Sequence, residues 1–228
     1  MTYQEEFLFK LFNTEIWPEI SNAHFVSELY NLANEVYEKH TIEGYMAALL
    51  IYHQITDEMI RTLLDSCQFY IQCRLFSVEI SFKREKDKVF GFYLTELKNT
   101  MAFEGKEEFL SKCRELNSIR KDVVHKITRN ESIQYVQNQM KNVKRKFEDI
   151  FKLFYEIYDW FWWWFKQFRK GGDWGEEFYK VKEKVLHLKE SLEVETCPNK
   201  HTLQLELKKF EQLIHIVKRW EERDYQYK

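Results

Sequence analysis

The chain has 228 residues, enough to bury one sizeable core or a core with an appended module. Its 35 Lys and Arg nearly cancel 37 Asp and Glu, so no global field draws it to nucleic acid or an anionic membrane, and any RNA contact has to be local. Six Gly and two Pro punctuate a sequence rich in Glu, Lys and Leu, which predicts an all-α fold, and aromatics at 17% offer area for a core or a subunit interface.

In chain order, Phe7, Leu8, Leu11 and Phe12 predict a leading helix that stops at Trp17-Pro18. Ser21 or Asn22 caps a second, with Phe25, Leu29, Leu32, Val36 and Tyr37 on its apolar face, and Thr41 and Gly44 mark its end. From Tyr45 through Leu49, Tyr52, Ile55, Met59, Ile60, Leu63 and Leu64 the pattern describes a long, largely buried central helix reaching toward Phe76. After a charged connection over Lys83 to Lys88, Val89, Phe92, Tyr93, Leu97 and Met101 mark a fourth helix ending near Gly105.

A shorter helix over Glu107 to Leu116 and a new one beginning at Ile119 are expected next. Another then carries Ile133, Val136, Met140, Val143, Phe147 and Ile150 unbroken into the aromatic run Trp160 to Phe165. Past Gly171, Gly172 and Gly175, Phe178, Val181, Val185, Leu188 and Leu192 form one apolar seam. Leu203, Leu207, Phe210, Leu213 or Ile214, Val217 and Trp220 form a second beyond Pro198-Asn199, predicting an antiparallel helical hairpin. The division expected is therefore a bundle over 1–170 and a hairpin over 171–228.

The first residues, Thr2, Tyr3 and Gln4 and then acids, lack the basic start and apolar run of a signal peptide. Trp160 to Phe165, like every apolar stretch of the chain, is far shorter than the roughly twenty residues of a membrane span. Cys67, Cys73, Cys113 and Cys197 form no CxxC pair, and Cys197 with His201 is two ligands short of a zinc site. A cytoplasmic protein with reduced thiols, no metal and no cofactor is the expectation. The aromatic run reads as packing rather than a base-stacking platform, Lys141, Lys144, Arg145 and Lys146 as a solvated face, and His53 and His187 as packed or surface histidines.

Chemistry concentrates in Leu116 to His125, where Arg120 precedes His125 by five positions. A neutral imidazole can take a proton from a 2′-hydroxyl or return one to a leaving 5′-oxygen, while a guanidinium holds the phosphate oxygens whose charge grows in the transition state. The stretch from about Asn22 to Ile150 resembles the HEPN superfamily, helical bundles whose signature is Arg, four to six residues, then His; Arg120 and His125 match it. Ala47 to Leu64 looks like that family's central helix, and Glu58 stands for the acidic residue that often faces the motif.

The resemblance implies a metal-independent endoribonuclease acting as a homodimer on RNA, with a composite Arg/His site and a toxin or antiviral-defence setting in which an antitoxin or other regulatory protein restrains it. The position after the arginine, commonly Asn, Asp or His in the family, is Lys121 here, and Asp122 either supplies the missing polar group or pairs with Lys126. The rival expectation is a non-catalytic helical scaffold that dimerises and docks another protein through residues 176 to 225.

Overall fold

The computed structural model describes residues 2–76, 78–82, 88–125, 132–172, 174–193 and 199–225. Inside the helices, the side chains of His125, Trp220, Glu221 and residues 223–225 lie outside this description. The described residues are helical without strands: α1 Tyr3–Phe12, a 3-10 turn Thr14–Ile16, α2 Ala23–Tyr37, α3 Ile42–Arg74, α4 Phe90–Asn99, α5 Lys106–His125, α6 Ile133–Met140, α7 Val143–Gly171, α8 Gly175–Glu193 and α9 Lys200–Tyr225. The all-α class read from composition holds.

The chain forms two compact units. The first comprises residues 1–17, 71–81 and 164–228, so α1 belongs with α8 and α9 rather than with the bundle in which the sequence placed it. Reciprocal bonds between Thr2 and Glu5 cap α1, satisfying two donors that a helix start leaves open. At its other end the Trp17 indole N–H donates to the carbonyls of Lys10 and Leu11, at 3.0 and 3.1 Å, and the ring meets Phe165 edge-on at 5.5 Å. Phe12 packs on Phe178 at 5.0 Å, which fixes α8 against α1. Val181, Val185 and Leu188 of α8 and Phe210, Leu213 and Val217 of α9 are buried, as their seams predict.

The second unit, residues 18–70 and 82–163, holds the stretch with the Arg/His motif. Its core runs along α3, where Tyr52 stacks on Phe147 of α7 at 4.4 Å, and through Phe109, Leu110 and Leu116 of α5, all fully buried. Each such side chain contributes about 1.5–3 kcal/mol of burial. Asn22 caps α2 from a left-handed conformation, its side chain accepting the Phe25 N–H at 3.4 Å. The expected apolar face of α2 packs only in part: Leu29, Val36 and Tyr37 are half-buried, and Tyr37 lies against Tyr45 at 4.9 Å. Ala33 is buried and Tyr30 stacks on Phe151 at 5.6 Å, while Phe25 and Leu32 stand 50% and 45% exposed. Two apolar ridges run along this helix and α7 covers one of them.

At the corner between α2 and α3, His40 takes a positive φ of 53° and Gly44 sits in the first turn of α3 directly against the Val36 carbonyl. Gly105, at φ 78°, turns the chain into α5. There the buried Lys106 ammonium donates to the carbonyls of Lys98, Thr100 and Met101 at 2.8, 3.3 and 3.1 Å, closing the C-terminal end of α4 as a helix of that polarity favours.

Three helix boundaries differ from the sequence reading, the first being that of α4, which ends at Asn99 rather than near Gly105. α5 runs unbroken through Leu116 and Ile119, because nothing there is Gly or Pro and the polar Asn117 has its side chain bonded across to α3. The expected helix from Ile133 to Ile150 instead breaks at Lys141 and Asn142, where the Lys141 carbonyl accepts the Tyr37 hydroxyl. The last carbonyls of a helix have no partner within it, and the Tyr37 hydroxyl satisfies one of them here.

Candidate functional site

Residues four apart on a helix lie on one face, and α3 places His53, Asp57 and Arg61 in that register. On α5, Asn117, Arg120 and Lys121 share a face by the same rule. The structure turns these two faces to one cleft of about 490 Å³, completed by Lys88, Val89, Phe90 and Gly91 at the start of α4. Arg120 and Lys121 of the motif therefore line it together, with Lys121 exposed at its rim.

Inside the cleft each group is held. His53 Nε2 lies 3.2 Å from Asn117 Oδ1, so the amide oxygen accepts the ring N–H, and the imidazole packs on Phe90 at 4.2 Å. The Asp57 carboxylate accepts from Arg61 Nη2 at 2.8 Å and Nε at 2.9 Å, and the Arg61 guanidinium lies 4.5 Å over the Tyr93 ring. The backbone N–H of Lys88 donates to the Tyr93 hydroxyl at 3.3 Å.

Among the described residues, Arg61, Lys88, Arg120 and Lys121 set four cationic side chains around one carboxylate, Asp57, itself engaged with Arg61. On a nearly neutral chain this is a local positive field in a concave site, which attracts anions. The same field acts on His53. Burial pushes its imidazole down to about 4, the nearby Arg120 guanidinium adds to that, and the Asn117 bond opposes it in part. His53 is therefore neutral at pH 7 with one lone-pair nitrogen.

Glu58, expected to face the motif, does not line this cleft. One residue past Asp57 it is turned about 100° around α3, and its carboxylate accepts the Ser21 N–H at 3.1 Å. The acidic residue that α3 turns to the motif helix is Asp57. Asp122 is exposed and is not among the residues lining the cleft, and its suggested partner Lys126 lies outside the described residues. The backbone of His125 ends α5, and its side chain is likewise outside them.

His53 is the residue the sequence reading passed over. Its signal was available as His53, Asp57 and Arg61 at successive steps of four, but on a mostly apolar helix a lone histidine reads as packing.

Elsewhere the aromatic run is buried in part. Phe161 and Phe165 are fully buried, Trp160 stacks on Tyr70 at 5.5 Å, and Trp163 is 52% exposed. Lys144 and Lys146 bind Glu38 and Glu115, at 2.7 and 2.8 Å. Cys67, Cys73 and Cys113 are free and buried, with burial raising all three thiols, Cys67 to about 12; Cys197 lies outside the described residues. Among the described residues no group of three His, Cys, Asp or Glu could hold a metal ion, and no helix is long and apolar enough to cross a membrane. A second hollow, of about 380 Å³ and lined by α1 and α8, mixes Glu5, Glu177 and Lys180 and has no dominant sign.

Compared with known proteins, the chain matches no family model, no curated protein and no solved structure.

Proposed function

We propose that this protein is a metal-independent endoribonuclease of HEPN type, active as a homodimer, in which Arg120 holds the scissile phosphate and His125 transfers the proton. The observation that carries the proposal is the placement of Arg120 in a basic cleft between α3 and α5, the α3 helix being the one whose sequence resembles the family's central helix. In this reading the 2′-hydroxyl attacks the adjacent phosphorus, its proton passes to an imidazole, and the 5′-oxygen leaves with a proton, giving a 2′,3′-cyclic phosphate and a 5′-hydroxyl end. The guanidinium neutralises the charge that grows on the equatorial oxygens.

Arg120 and His125 lie about 140° apart around α5, which suits a site completed by the same helix of a second copy. Unrestrained RNA cleavage harms the cell that makes it, which fits a regulatory or antitoxin partner.

The test is cleavage of a mixed fluorescent RNA in EDTA by wild type beside His125→Ala and Arg120→Ala. Wild-type cleavage falling about 10²–10⁴-fold in each variant is the expected result. Equal cleavage by all three overturns the assignment of these residues. The scaffold reading is favoured by Phe25 and Leu32, exposed on α2, and by Lys121 at the position after the arginine. It takes over if wild type dimerises and leaves RNA intact.

A further inference from the structure

The cleft contains an imidazole that the proposed mechanism does not use. His53 is only 8% exposed, lies on the α3 wall facing the motif helix, and is fixed by Phe90 on one side and Asn117 on the other. Among the described residues, the charged groups that share the cleft with it are Asp57 and Arg61 on α3, Lys88 before α4, and Arg120 and Lys121 on α5. Asp57 is bonded to Arg61, and the charged group whose field bears on the ring is the Arg120 guanidinium.

We propose that His53 is a proton-coupled phosphate contact: when a phosphodiester enters the cleft, the imidazole takes a proton from solvent and joins Arg120 and Lys121 in holding it. This rests on the reading that the cleft receives the phosphate backbone of RNA. Asn117 Oδ1 accepts the Nε2–H in either protonation state, so the ring does not have to turn. The new proton sits on Nδ1, the nitrogen left with its lone pair, and the neutral ring becomes a two-sided donor. No bond to phosphorus is made. The proton offsets the negative charge that arrives with the diester, and the anion in turn removes the repulsion from Arg120 that helps keep the empty site neutral.

The coupling is reciprocal, so a ligand that promotes protonation binds more tightly as protons become available. The experiment uses the full chain and a dinucleoside monophosphate carrying a 2′-O-methyl group, which cannot be cleaved and whose diester keeps a single negative charge through the pH range used. Proton NMR of the histidine rings, with His53 assigned by comparison with His53→Gln, follows its titration with and without saturating ligand, and calorimetry in two buffers counts protons taken up.

The expected result is a His53 midpoint that rises by about one pH unit or more on saturation. The dissociation constant of wild type should fall by up to about tenfold per pH unit between the bound and free midpoints, and that of His53→Gln should not change with pH. An unmoved midpoint with ligand bound, or a pH slope retained by His53→Gln, overturns the proposal. Absence of any binding overturns both this inference and the RNA reading. A shifted midpoint in a protein that leaves RNA uncut sustains the inference and overturns the ribonuclease.

Discussion

His53 and Glu58 show how much a single position on a helix decides. His53 has a depressed titration in the folded chain, about 4 against an ordinary 6.5, so between those values the unfolded chain binds a proton that the folded one refuses. Stability therefore holds above pH 6.5 and declines as pH falls toward about 4, by about 1.4 kcal/mol per pH unit and of order 3 kcal/mol in all. Urea unfolding of wild type and His53→Gln across pH 4–8 checks this. The difference between the two should be flat above pH 6.5 and turn against wild type below it, and parallel curves would contradict a buried neutral imidazole. Arg120 was legible from the phrase around it, whereas Asp57 was taken one residue late as Glu58, because spacing ranks neighbours equally until the facing helix is in place.

At the scale of elements, the presence of α1, α3 and α4 follows from periodicity alone. What periodicity missed are the boundaries set by groups on other helices. Asn117 looks like a helix interruption until it is bonded to His53, and Lys141 looks like mid-helix until Tyr37 claims its carbonyl. Gly44 is the opposite case, a helix position that propensity alone would fill with alanine at a gain of about 1 kcal/mol. A Cβ there would press into the Val36 carbonyl, so Gly44→Ala is expected to lose about 1–3 kcal/mol instead. The sign of the change in denaturation midpoint separates the two effects.

Across the whole molecule, the helical class was readable from few Gly, few Pro and 3.6-residue periodicity, but the partition into units was not. Glycines near 171 suggested a simple cut, whereas the first seventeen residues pair with segments far along the chain, because Phe12 and Trp17 find Phe178 and Phe165. A local sequence window holds no record of such partners. Charge behaves the same way: a net of −2 conceals a cleft with four cationic side chains. If Arg120, Lys121 and Lys88 meet phosphates, single-stranded RNA affinity should fall with salt at a log–log slope of about −2. Filter binding over a potassium chloride series reads that slope, and a value near zero would remove the cleft as a phosphate site.

The unbroken course of α5 has a consequence for heredity. Since Arg120 and His125 ride one helix, inserting or deleting a single codon between them swings everything downstream by about 100° around the axis. Gene lengths at this point can drift only by near-whole turns, three or four codons together, if the histidine is to keep its bearing relative to the arginine. The interval between the two is thus an angle as much as a distance, and each codon gained or lost there gives the histidine a new bearing from the arginine.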